Sequence, residues 1–161
     1  MAKEKFPVTA AVRFLRNHKI PFEGHLYEYE EKGGTAHSAR ELGVEEHQVI
    51  KTLVLETDEK APLVVLMHGD LQVYLKKLAR DLDLRSIQPC SPETARKHTG
   101  YLVGGTSPFG TQKELPVYAE ETIFALPEIY INGGKRGFLV SMAPEDLRRA
   151  LNPTLIQAGI A

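Results

Sequence analysis

The clearest pattern in the chain is a β run at residues 50–56, polar at Lys51, Thr52 and Glu56, that is followed after a turn by a solid apolar run. Ile50-Lys51-Thr52-Leu53-Val54-Leu55-Glu56 reads as a strand, Thr57-Asp58-Glu59-Lys60 as a turn, and Pro62 to Met67 as an apolar return strand, which together predict a hairpin. Ala11, Phe14, Leu15 and His18 share one stripe at helical spacing behind Thr9, a capping residue, and predict a helix over 9–18. Ile20-Pro21-Phe22 leads into a short strand around His25 to Tyr29, and Gly33-Gly34 reads as a turn. Thr35 then caps a short helix through Leu42 that Gly43 stops, and Glu45 to Val49 adds a helical turn. Leu75 to Leu82 is a basic amphipathic helix, and Ser91-Pro92-Glu93-Thr94 opens another that ends near Gly100. Leu115 to Ala119, Glu128 to Asn132 and Phe138 to Met142 read as strands, and Ala143-Pro144-Glu145-Asp146 starts the last helix with acidic residues at its positive end. Strands and helices follow in mixed order, so the expectation is one α/β domain over residues 1–161 with a mixed, barrel-like sheet flanked by helices.

Length and composition narrow the classes. A chain of 161 residues can bury one good core, and 42% hydrophobic with 25% charged residues is ordinary for a globular protein. The formal net charge of −1 gives no global field for a polyanion, so contact with nucleic acid has to come from local clusters. One cysteine, Cys90, excludes an internal disulfide and a cysteine-based zinc cluster, and fits a reducing cytoplasm. The six histidines show no metal-ligand spacing, so no metal is expected. The charged stretch Met1 to Pro7 is not a secretory signal, and no apolar run nears the roughly 20 residues that cross a bilayer.

Three places carry candidate chemistry. Gly100-Tyr101-Leu102-Val103-Gly104-Gly105-Thr106-Ser107-Pro108-Phe109-Gly110 is a glycine-rich loop of the kind that aims bare N–H groups at a carbonyl or a phosphate. It lacks the Gly-x-x-x-x-Gly-Lys-Ser/Thr order of a P-loop and the Gly-x-Gly-x-x-Gly dinucleotide fingerprint, and no nucleotide cofactor is expected. The same loop also reads as a tight crossover with no site. Asn132-Gly133-Gly134-Lys135-Arg136-Gly137 reads either as a hairpin turn with solvated basic residues or as a phosphate contact. Lys51 shares a strand face with Leu53 and Leu55, so it either meets an anion or keeps its head in water at the strand edge. Cys90 has no recognisable histidine partner, and no Gly-x-Ser-x-Gly elbow is present, so neither a cysteine nor a serine nucleophile is expected.

These three blocks, in this order, resemble the YbaK/EbsC family, which contains bacterial Cys-tRNA(Pro) deacylases and is related to the editing domain inserted in bacterial prolyl-tRNA synthetases. The resemblance runs from the Thr9 helix to the helix after Pro144. It implies a trans-editing deacylase that removes cysteine from Cys-tRNA(Pro), with Cys-tRNA(Cys) as a further candidate substrate, without cofactor. It implies that the substrate thiol attacks its own ester. Lys51 matches the family's functional lysine, and Gly104, with Gly105 beside it, the backbone that faces the ester. Tyr27, Thr106, Ser107, Asn132, Gly133 and Gly134 are the expected substrate-binding residues. Lys76, Lys77, Arg80, Lys135 and Arg136 are the expected tRNA contacts, with a solvated basic face as the alternative. The implied partners are the acceptor end of tRNA(Pro) and prolyl-tRNA synthetase. Asn132 stands where the family deacylases carry serine, and Gly34 stands about where they carry a phenylalanine. These departures keep open a water-dependent deacylase for Ala-tRNA(Pro), and a non-catalytic module that binds tRNA or a synthetase.

Overall fold

The hairpin legible in the pattern is the centre of the fold. A computed structural model describes residues 5–161, so the first four residues of the charged start lie outside the described residues. Helix α1 (Ala10–Asn17) is capped by the Thr9 hydroxyl and is followed by β1 (Glu23–Leu26) and α2 (Gly34–Leu42). Then come the hairpin strands β2 (Val49–Thr57) and β3 (Pro62–His68), the short β4 (Gln72–Val73), α3 (Leu75–Asp81), β5 (Ile87–Pro89) and α4 (Pro92–Thr99). After the glycine-rich loop follow β6 (Val117–Glu120), β7 (Ile129–Lys135), β8 (Phe138–Met142), α5 (Pro144–Leu151), β9 (Thr154–Ile156) and β10 (Gly159–Ile160).

The sheet is mixed, as expected. Its order is β1-β8-β7-β2-β3-β6-β9, with β5 paired to β2 off that path, while β10 and β4 form a separate two-stranded ladder. Both faces are covered, which explains the unbroken apolar run of β3. Val64 and Leu66 face a core with Ala11, Leu15, Phe109 and Ile131, whereas Leu63 and Val65 face one with Leu55, Leu78 and Ile156. Among the described residues no helix is long and apolar enough to cross a membrane.

Three local expectations change. The first strand ends at Leu26, not Tyr29, because its partner β8 begins at Phe138 and only Tyr27 N–H reaches one residue further, to Gly137 O. Thr35 does not cap α2. The helix starts at Gly34, and the Thr35 hydroxyl instead contacts Glu46 Oε2 at 2.7 Å and Gly69 O at 3.2 Å. Asn132-Gly133-Gly134 is not the hairpin turn but an irregularity inside β7, and the turn falls at Arg136-Gly137, where Gly137 has φ +77°.

At the end of β3, His68 is fully buried and stacked on His47, with ring centroids 3.7 Å apart. Its Nδ1–H donates to His47 O and its Nε2 accepts from the Thr122 hydroxyl, so the neutral ring is fully satisfied. Burial pushes its pKa down; the hydrogen bond to His47 O opposes this most, the charge of the His47 ring adds to it, and Asp70 and Glu120 oppose it. The folded protein therefore resists a proton that the unfolded chain accepts near pH 6.5. Stability is complete above that pH and falls as pH drops towards the lower folded value, by up to about 1.4 kcal/mol per pH unit for this one proton. Urea midpoints at pH 7.5 and 5.5 should show this loss, and His68→Gln should flatten it. An equal slope in that variant would assign the acid sensitivity to other groups.

Candidate active site

The strands β2 and β7 pair in parallel for only two residues, Val49 with Tyr130 and Ile50 with Ile131. The next pair would join Lys51 to Asn132. Instead the irregularity at Asn132–Lys135 pulls β7 away, and a cavity of about 410 Å³ opens between the strands. Lys51, Thr52 and Asn132 line it from the sheet, Val103, Gly104 and Thr106 from the glycine-rich loop, and Tyr27, Tyr29, Gly34 and Thr35 from the segment after β1. Gly34 adds no bulk, since a Cβ there would meet nothing within 4 Å.

The loop is anchored at both ends. Gly100 closes α4 in the left-handed region at φ +82°. Tyr101 and Phe109 are buried in the main core, and Tyr101 Oη donates to Phe109 O. Burial pushes the Tyr101 phenol up to about 12, which keeps it a donor. Between these anchors Leu102 and Val103 remain about half exposed. Gly104 sits at φ +85°, and a Cβ there would lie 2.6 Å from Tyr29 Oη, so only glycine fits beside this ring. Asn132 Nδ2 donates to Gly104 O at 3.0 Å, while Asn132 Oδ1 accepts from Gly134 N–H and Lys135 N–H. Arg136 Nε donates to Val103 O at 2.7 Å with its guanidinium 5.2 Å over the Tyr29 ring. Two side chains of β7 and the following turn thus hold the loop over the cavity.

Lys51 is only partly exposed, and its Nζ has one long contact, to Gly69 O at 3.5 Å. Burial pushes its pKa down, while Glu46 and Asp70 push the other way. Neither acid forms an ion pair with it among the described residues. The backbone N–H groups of Val103, Gly104 and Thr106 also have no acceptor among the described residues. A cation and free amides therefore border one cavity, an arrangement suited to an ester carbonyl and its neighbouring anionic groups. No cysteine lines the cavity. His37 is engaged with Glu28 O and Glu30, and the Thr106 hydroxyl with Leu102 O. The Thr52 hydroxyl is shielded from solvent with no partner among the described residues.

Lys51, Gly104, Tyr27, Thr106, Asn132 and Arg136 are brought together, but other expected residues are not. Gly105 does not line the cavity, and its N–H is already bound to Leu102 O at 2.8 Å, so it is not a free donor. The Ser107 hydroxyl is buried and accepts from Phe109 N–H. Gly133 lies against the Phe138 ring and Gly134 against Tyr101 and Thr9, both as packing glycines. Lys135 is exposed away from the cavity. Lys77 is paired with Asp81 and Gln157 O, while Lys76 and Arg80 line a different groove. Tyr29, Thr35 and Thr52 were missed. Only Tyr29 carried a signal, two residues after Tyr27 on the same alternating stretch.

Comparison with known proteins places this site in a family. The family model described as the aminoacyl-tRNA editing domain matches residues 30–150, a span that contains all three site blocks. A candidate Cys-tRNA(Pro)/Cys-tRNA(Cys) deacylase, EbsC of Enterococcus faecalis, is 32% identical over 154 residues, covering 94% of each chain. A proline–tRNA ligase of Moorella thermoacetica is 34% identical over 116 residues, 71% of this chain but 19% of that protein. The solved structure of a candidate trans-editing enzyme for prolyl-tRNA synthetase superposes with a TM-score of 0.85 at 22% identity, covering 97% of this chain and all of the other. The whole-length relative and the family match agree: this chain belongs to the family of aminoacyl-tRNA editing domains.

Proposed function

We propose that the protein is a trans-acting deacylase that removes cysteine from Cys-tRNA(Pro), and from Cys-tRNA(Cys) as a second substrate. The observation that carries this reading is the shared cavity of Lys51 and the unpartnered Gly104 amide, with no cysteine and no free histidine in its wall. In the proposed reaction the substrate thiol loses its proton and its sulfur attacks the ester carbonyl. The C–O bond to the terminal ribose breaks, the ribose oxygen takes the proton, and a cyclic thiolactone leaves. The protein supplies position and charge, which can lower a barrier by several kcal/mol. Gly104 N–H receives the developing oxyanion. Lys51 faces the anionic or ribose oxygens of the acceptor end as a compact point charge. Asn132 acts on the reaction through its bond to Gly104 O. The printed name of the Enterococcus faecalis relative supports cysteine as the amino acid. With a net charge of −1 the chain binds free tRNA weakly, and a prolyl-tRNA synthetase beside it supplies the remaining grip.

The test is loss of ester from Cys-tRNA(Pro), Ala-tRNA(Pro), Pro-tRNA(Pro) and Cys-tRNA(Cys). The cysteinyl esters should disappear fast and the prolyl ester should persist. Gly34 leaves open space in the wall, so the alanyl arm carries real weight. Alanyl loss outpacing cysteinyl loss would replace thiol attack by water attack. Cys90→Ala should still turn over the cysteinyl esters. A dead Cys90→Ala enzyme would overturn attack by the substrate thiol in favour of a covalent protein intermediate.

A further inference from the structure

Two further depressions open from the Lys51 cavity in series. The first, about 370 Å³, shares Lys51, Thr52 and Val103 with it and runs past Leu53 to Leu75 and Cys90. The second, about 630 Å³, begins at Leu75 and is edged by Lys76, Arg80 and Arg85, with Asp83 as its one acid. The groove thus shares three lining residues with the cavity and Leu75 with the second depression, so the three abut in series as a track, with Lys51 at one end, apolar lining in the middle and cations at the other.

From this track we infer the path of the substrate: the unpaired 3′ end of the aminoacylated RNA lies along it. This rests on the reading of the cavity given above. The ester sits at Gly104, the terminal sugar and base lie in the apolar groove, and the preceding phosphates meet Lys76, Arg80 and Arg85. The order of chemistry along the track matches the order along such a strand, read from its charged amino acid inwards. The three cations form no ion pair among the described residues, whereas Lys77, on α3 with Lys76 and Arg80, is held by Asp81. Glu30 and Glu31 stand beside Lys32 in the cavity lining, whereas the α3 depression sets three cations against one acid among the described residues. Exposed Val103 forms the wall common to cavity and groove, which a base would cover.

The test uses an uncharged RNA hairpin that ends in the four unpaired nucleotides of a tRNA 3′ end, with a blunt hairpin as control. Cys90 is the chain's one cysteine, so its alkylation by iodoacetamide reports on the groove alone. The overhanging hairpin should slow alkylation at least threefold and the blunt one should not. Lys76→Ala/Arg80→Ala/Arg85→Ala should raise the dissociation constant for the overhanging hairpin at least tenfold. It should also reduce the slope of log K against log salt by about 2, at roughly 0.7 per phosphate contact of a single strand. Arg13→Ala/Arg16→Ala/Lys19→Ala, on α1 and just after it, away from the track, should change neither. Equal protection by the blunt hairpin, or unchanged affinity in the α3 variant, overturns the path. Because the hairpin carries no amino acid, either result leaves the deacylase reading standing. Conversely, protein that binds this hairpin but spares every ester would sink the deacylase reading and keep the path.

Discussion

Gly104→Ala should lower the single-turnover deacylation rate of Cys-tRNA(Pro) by about a hundredfold, the scale for loss of one oxyanion donor. Two constraints meet at this residue. Its φ of +85° lies where a side chain is strained by about 1 kcal/mol, and the new methyl would stand 2.6 Å from Tyr29 Oη. Tyr29 cannot simply retreat, because Arg136 lies over its ring and is itself bound to Val103 O. The loop therefore gives way, and the Gly104 amide leaves its place above the cavity. Thermal unfolding should change little, since Tyr101 and Phe109 keep the loop ends buried. Tyr29→Leu with Gly104→Ala relieves the crowding but not the backbone strain, and should recover part of the rate. A Gly104→Ala rate within threefold of the parent would remove this amide from the chemistry.

What was legible in the sequence is what depends on neighbours along the chain. Ser91 and Pro92 open α4 and Gly100 closes it, because caps are decided by local hydrogen bonds and backbone angles. The β2–β3 hairpin follows from two β-prone runs joined by a polar turn. The two- and three-residue strands β4, β5, β9 and β10 carry too few positions to show a period, and they exist only through distant partners. The parallel pairing of β2 with β7 has no local signature, yet its early end creates the cavity. At the site, the motifs point to Lys51 and Gly104, and both line the cavity. Gly105, Ser107, Gly133 and Gly134 share those motifs but fold the loop and strand instead of lining it. A glycine needed for packing and one needed for an exposed amide look alike in sequence, and only burial separates them.

Lys51→Ala should cut deacylation at least tenfold, about 1.4 kcal/mol of barrier, and Lys51→Met should cut it equally. The paired variants separate charge from volume. Methionine keeps most of the stem that packs along the strand, so an equal loss in both assigns the effect to the ammonium. The geometry makes this charge unusual. Burial disfavours it, Glu46 and Asp70 help hold the proton from a distance, and its contact to Gly69 O is long at 3.5 Å. On the proposed function, an ammonium with unused donors beside the cavity is held for a partner that arrives with the substrate. Removing it should therefore not harm the fold, and the thermal midpoint of Lys51→Met should match or exceed that of the parent. Lys51→Arg keeps the charge but brings a wider, planar head past Thr52, and should restore only part of the rate. A parental rate in Lys51→Met would exclude the cation from the reaction and leave the loop amides to carry it alone.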